Sequence, residues 1–318
     1  MRIFFLIMFF VALPIVLKAA DQTFYLSFAS RVLITALAAT SLNLVLGYGG
    51  MVSFGHAAFV GTGAYVASIA LAEGIPSAWI GWPAAVLASG LAALLIGAIS
   101  LRTRGVYFIM ITLAFAQMVY YLVNSMKAYG GDEGLTLPSR ASLGLGPDLG
   151  DELTFYYVVL AILSLALFSF HRLIHSRFGR ALVAIRENEA RAEALGFPTL
   201  RYKLVAFALA GAAGGLAGAL LASHGKYVNP NILHWTQSGT LLIMVILGGV
   251  GRLWGGVIGA AALLLLEHVM AEHRFAWLAA LAPNYQQHAS LGVGIVLLAV
   301  VLYAPQGIAG LFSKKTHA

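Results

Sequence analysis

Cysteine is absent from the 318-residue chain, and charge is scarce, with Asp, Glu, Lys and Arg together making up only 10%. The first absence removes thiolate chemistry and any Cys-based zinc or iron–sulfur site, and with it a disulfide-stapled secreted domain. The second excludes a water-soluble enzyme, whose composition ordinarily includes about 25% charged residues. Motifs are missing too. No stretch fits G-x-x-x-x-G-K-[ST], since the one Gly-Lys pair, Gly225-Lys226, is followed by Tyr227, so the usual phosphate cradle for hydrolysing ATP is lacking. Paired carboxylates, a zinc motif and a nucleophile elbow are equally missing. Nothing in the sequence supports catalysis, a cofactor or a metal on this chain.

What is present is apolar. Hydrophobic residues make up 60% of the chain, Gly contributes 35, and the mean hydropathy is +0.88. A membrane-spanning helix needs about 20 largely apolar residues. Ten segments approach that length, at 3–20, 28–47, 51–72, 78–100, 106–125, 153–171, 204–223, 236–250, 253–271 and 289–304. Their apolar runs are continuous rather than alternating, which favours helices over a β-barrel. The expected fold is therefore all-α, a polytopic integral membrane protein of about ten transmembrane helices within one transmembrane domain, 1–318. Residues 1–20 read as a retained anchor. Arg2, the apolar run and Ala19-Ala20 also fit a cleaved signal peptide loosely, which would leave nine spans.

Basic residues orient the spans. With the N-terminus cytoplasmic, 13 of the 19 basic residues and three of the 12 acids fall inside, a net of +10; the outside nets −3. That bias obeys the positive-inside rule and puts both termini in the cytoplasm. The overall +7 is then topological, and no nucleic-acid partner is implied. Trp79, Trp82, Trp235 and Trp277 fall near outer ends and Trp254 near an inner one, where amphipathic rings anchor in lipid.

Two loops are long. The outer one, 126–152, carries Asp132, Glu133, Asp148, Asp151 and Glu152 among Gly and Pro. The inner one, 172–203, contains a Gly- and Pro-free stretch from Arg180 to Leu195, stopped by Gly196 and Pro198; this predicts one or two short surface helices. Arg186, Glu187, Glu189, Arg191 and Glu193 give it both charge signs, which suits a protein partner better than lipid. A solvated connector is the plainer alternative.

Within the spans, Gly50, Gly55, Gly61 and Gly63 cluster in one stretch, while Gly211, Gly215 and Gly251, Gly255, Gly259 recur every four residues. Such spacing gives small faces for close helix packing. Polar residues that suit a translocation path by type are Asn43, Ser53, His56, Thr112, Gln117 and Asn124. For His56 a hydrogen-bonded packing role competes with substrate contact. An ion-coupled secondary transporter using His56, or Arg31 and Glu267, is a second function class, and a channel a third, although no filter repeat is visible.

The run Gly50-Met51-Val52-Ser53-Phe54-Gly55-His56-Ala57-Ala58-Phe59-Val60-Gly61-Thr62-Gly63-Ala64-Tyr65 resembles a signature of branched-chain amino acid ABC importer permeases of the LivM type. So do Arg104-Gly105-Val106-Tyr107-Phe108, Phe178-Gly179-Arg180-Ala181-Leu182 with Arg186-Glu187-Asn188-Glu189, Gly248-Gly249-Val250-Gly251, and Pro305-Gln306-Gly307. The resemblance implies a bacterial inner-membrane importer for branched-chain or other hydrophobic amino acids. Its other parts would be a second, LivH-like permease, two ATPases carrying ATP and Mg, and a periplasmic binding protein. It assigns 172–203 to ATPase coupling, with Arg180, Arg186, Glu187, Asn188, Glu189, Arg191, Glu193 and Gly196 as candidates. Two departures stand out: Glu193-Ala194-Leu195-Gly196 lacks the usual spacing of the importer loop, and Gly256 stands where Pro is frequent. Relatives that carry urea or short amides leave the substrate open.

A chain without cysteine allows a direct check of orientation. Ala190→Cys should react with a membrane-impermeant maleimide only in inside-out vesicles, and Asp132→Cys only in intact cells stripped of their outer envelope; the reverse pattern overturns the orientation.

Overall fold

The computed structural model describes Pro14 and residues 23–144, 148–271, 289–304 and 306–311. Except for Pro14, the first expected span, 3–20, lies outside them, as do both termini, Trp277 and Pro305. Among the described residues the structure is mainly helical, with two short strands. Its helices are α1 (Thr23–Asn43), α2 (His56–Ala72), α3 (Ala78–Ser100), α4 (Val106–Ser125), α5 (Glu152–His175), α6 (Arg177–Glu187), α7 (Glu189–Ala194) and α8 (Thr199–Gly225). After these come α9 (Trp235–Gly248), α10 (Gly255–Ala271), α11 (Ala289–Tyr303) and α12 (Ile308–Leu311).

Among the described residues, five helices are long and apolar enough to cross a membrane: α1 with the turn that extends it, α3, α4, α5 and α8. The expected segments from 28–47 onward each fall on an apolar helix, but some are shorter than hydropathy suggests. Helix α2 begins at His56, not at residue 51, and α9 has only 14 residues, about 21 Å of rise. Glycine-rich turns supply the difference.

Helix α8 sits at the centre, packed against α1, α2 and α3. Small residues make this possible. A Cβ added to Gly63 of α2 would lie 2.0 Å from the Gly215 carbonyl oxygen of α8, so the two backbones touch without intervening side chains. Phe59 and Phe207 then meet edge to face, 5.3 Å apart and fully buried. The outer faces are the opposite of a soluble protein's. Leu87, Leu91 and Leu95 project from one stripe of α3, and Met118, Tyr121 and Leu122 from α4, all more than half exposed. An apolar exterior around a packed interior is what a lipid environment requires.

Helix α5 separates two ends: the basic loop 172–203 at one, and the acidic loop 126–152 at the other. At the acidic end, strand β1 (Leu135–Thr136) pairs antiparallel with β2 (Tyr227–Val228), and Ser142 bridges to Ser77 at the start of α3. Arg140 staples this loop to α5. Its guanidinium donates to the Leu149 carbonyl at 3.1 Å, pairs with Glu152, and lies 4.4 Å from the Phe155 ring centre. Asp151 caps α5 by accepting from the Thr154 N–H.

Arg140→Ala should lower unfolding stability by about 3 kcal/mol, the scale for removing one partner of a buried ion pair. Thermal unfolding in nanodiscs reads the loss, and a melting temperature equal to that of the unaltered chain rules the staple out.

Candidate coupling site

At the basic end two membrane helices break, and the breaks meet. Helix α1 runs to Asn43 and then widens into a π-turn, Leu44–Tyr48. Gly50, at φ +68°, turns the chain back towards α2. The second break follows α9, where Gly249 and Gly251 take φ of +117° and +76° before α10 starts at Gly255. Broken helices in an apolar slab leave backbone groups that water cannot reach, so each needs a partner from the protein.

Asn43 supplies two. Its side-chain amide donates to the Arg252 carbonyl at 2.7 Å, and its side-chain oxygen accepts from the Gly251 N–H at 2.9 Å. It is 1% exposed. Around the start of α2 the same need is met by hydroxyls. The Ser53 hydroxyl accepts from the Gly55 N–H (3.1 Å), Thr112 from the Phe54 N–H (3.3 Å), and Ser238 from the Ala57 N–H (2.8 Å).

The basic loop plugs into this junction. Arg186, on α6, reaches the Gly47 carbonyl with its guanidinium. Its stem crosses Gly50 so closely that a Cβ there would lie 2.6 Å from Arg186 Cγ. Arg252, on the other side, bonds the Ala309 carbonyl and approaches Gln306 Oε1 at 3.4 Å. One junction thus joins α1, α6, the α9–α10 turn and the segment after α11. A cavity of about 370 Å³ opens beneath it, lined by Gly50, Met51, Arg104, Arg186, Glu189 and Lys203 among others.

The loop itself is two helices. Ser176 caps α6 through the Gly179 N–H. Asn188 ends α6 and caps α7 by accepting from the Arg191 N–H at 2.9 Å. Glu189 meets Lys203 Nζ at 2.6 Å and Arg104 Nε at 3.5 Å. Glu193 accepts from the Thr199 hydroxyl at 2.9 Å and approaches Arg104 at 3.4 Å. These two acids face the chain's own cations. Exposed alongside Glu193 are Arg180, Glu187, Asn188 and Arg191, with Leu195, Phe197 and Leu200 beside Gly196. Residues 24–302 match the family described as branched-chain amino acid transport system / permease component.

The chain belongs to that family of permeases. This permease is 28% identical over 303 residues to the high-affinity branched-chain amino acid transport system permease protein LivM of Salmonella typhimurium, and equally to that of Escherichia coli; each match covers 88% of this chain and 68% of the relative. It is 31% identical over 223 residues to the L-arabinose ABC transporter permease protein AraH of Azospirillum brasilense, covering 70% of this chain and 63% of that one.

The polar residues picked out by type lie in two places in the permease. Asn43, Ser53, His56 and Thr112 gather at the first break and turn inward on the chain. His56 is wholly buried, its Nε2 2.8 Å from the Ser41 hydroxyl and its ring edge-on to Phe59. Gln117 and Asn124 lie further along α4, both half-buried, with the Gln117 amide 3.4 Å from His234 Nε2. Gly50 and Gly251 form the two turns; Gly55 abuts Thr112, Gly61 abuts Leu233, Gly211 meets Ala93 and Gly259 meets the Met244 carbonyl. The partners of the loop, Arg104, Lys203 and Thr199, escape sequence reading because nothing local marks Arg104 as a neighbour of Glu189. Leu195 and Phe197 do leave a trace: two large apolar residues flank Gly196 directly after a charged helix.

Asn43→Ala should cost about 3 kcal/mol of stability, because two buried backbone groups lose their partners at about 1–3 kcal/mol each. Asn43→Asp, which still accepts from Gly251 but sets a carboxyl oxygen against the Arg252 carbonyl, should be at least as unstable as Asn43→Ala in thermal unfolding. Equal stability of all three chains removes the lock.

Proposed function

We propose that the chain is one membrane subunit of an ATP-binding-cassette importer for branched-chain or other hydrophobic amino acids in a bacterial inner membrane. In this reading ten spans place both termini in the cytoplasm, 172–203 is the coupling loop, and 126–152 faces the binding protein. ATP and Mg belong to two partner ATPases, and a second, LivH-like permease completes the pathway. Support comes from family membership, from the transport functions of the LivM relatives, and above all from one contact: Arg186 joins the loop directly to the break in α1.

The mechanism follows from that contact. Leu195, Phe197 and Leu200 with Arg191 offer an apolar, cation-edged face to an ATPase. When the ATPases close on ATP, α6 and α7 move with them. Arg186 carries the Gly47 carbonyl along, and Asn43 passes the displacement to Gly251 and Arg252. Both breaks bend, because neither has a continuous helical ladder to resist. The helices they join then tilt between inward-open and outward-open arrangements. ATP and the loaded binding protein drive the cycle only through different affinities for those two states.

Uptake into proteoliposomes tests the reading. Leucine accumulation should require both ATPases and the binding protein, and accumulation without any ATPase overturns it in favour of a self-sufficient carrier. Preference for urea or a short amide over leucine reassigns the substrate. In the same assay Arg186→Ala should keep ATP hydrolysis but lose at least tenfold in uptake, with Arg186→Lys in between; unchanged uptake in Arg186→Ala removes that contact from the coupling route.

A further inference from the structure

A second polar feature lies away from the junction, towards the acidic end. Arg31 sits eight residues into α1, and Glu267 four residues before the end of α10. Both line a cavity of about 300 Å³, at the small end of the range for ligand pockets. Helical spacing builds it: Arg31, Ile34 and Thr35 share one face of α1, Gln237, Thr240, Leu241 and Met244 one face of α9, and Leu264 and Glu267 one face of α10. Ala57, Val60 and Ala217 form a floor of small and branched side chains. Across Arg31 and Glu267 a second cavity, about 330 Å³, continues to Ser27, His224 and His268.

The two charges lie near enough to act on each other electrostatically, yet not in contact. Among the described residues neither Arg31 nor Glu267 forms an ion pair, with the other or with a third group. Both residues are exposed where the cavities open, so a ligand can reach either charge. The walls also constrain the partner. A simple cation is repelled by Arg31, and a simple anion by Glu267. A small zwitterion answers both, and its remaining atoms meet aliphatic side chains.

We propose that this cavity binds a free α-amino acid in transit, with Arg31 holding the carboxylate, Glu267 the ammonium, and Ile34, Leu241, Met244 and Leu264 the aliphatic side chain. The proposal rests on the importer reading above and adds to it a place where the permease itself recognises substrate. Arg suits the carboxylate because its planar fork matches two oxygens at once. Side-chain selection there is shallow, since one methylene in an apolar pocket discriminates by only about 10–200-fold. The backbone charges carry the recognition.

Equilibrium binding of radiolabelled leucine to the whole transporter in nanodiscs, without ATP or binding protein, is the test. Isoleucine and valine should compete; isopentylamine and 4-methylpentanoate, each lacking one of the two charges, should compete at least tenfold less well. Arg31→Gln and Glu267→Gln should each weaken leucine binding tenfold or more, and Arg31→Lys should restore part of it. Equal competition by the amine and the acid, or undiminished binding in both Gln variants, overturns the proposal. If a variant fails to assemble, the competition series on the unaltered chain still decides. A zwitterionic lipid headgroup shares the chemistry, so the binding is repeated with phosphatidylethanolamine replacing phosphatidylcholine. Unchanged leucine binding supports the free amino acid, and its loss assigns the cavity to lipid and overturns the proposal. ATP-dependent uptake, measured separately, tells failure of this site from failure of the importer reading.

Discussion

A helix that stops inside an apolar slab strands backbone N–H and C=O groups where no water can reach them, and each stranded group costs more than an ordinary hydrogen bond returns. Much of the basic end is organised around that constraint. Asn43 serves a donor and an acceptor of the α9–α10 turn with one side chain. Ser53, Thr112 and Ser238 serve the N–H groups around the start of α2. These polar side chains belong to different helices, so the satisfied break also fixes how α1, α2, α4 and α9 sit against one another.

The remaining scaffold uses contact in place of polarity. Lipid offers no hydrophobic drive for helices to associate, so dispersion at close range must hold them. Gly63 against Gly215 brings two backbones together, and the Phe59–Phe207 pair fills the space alongside. Close packing at the centre and hydrogen-bonded turns at the basic end are complementary ways of holding helices where water is absent.

The apolar runs were plain in the sequence, since twenty uncharged residues have few other uses. The breaks were not. Glycine at 47–63 reads equally as a packing face and as an interruption, and only the φ of Gly50 and the reach of Asn43 to residues more than 200 positions away separate the two. Charge was not legible as partnership. Glu189 and Glu193 look like a surface offered to another protein, yet they meet Arg104 and Lys203 of the same chain, and Arg104 is 85 residues distant from Glu189 in sequence. Arg31 and Glu267 stood out as charges near the membrane. Their common cavity requires α1, α9 and α10 to be folded together before it exists.

The Asn43 amide has one more effect. It fastens the hinge of α1 to the hinge between α9 and α10, and Arg186 fastens the first of these to the basic loop. Three hydrogen bonds thus tie two breaks and a loop that lie far apart in sequence into one fastened unit, so a change at any one of them is felt at the others.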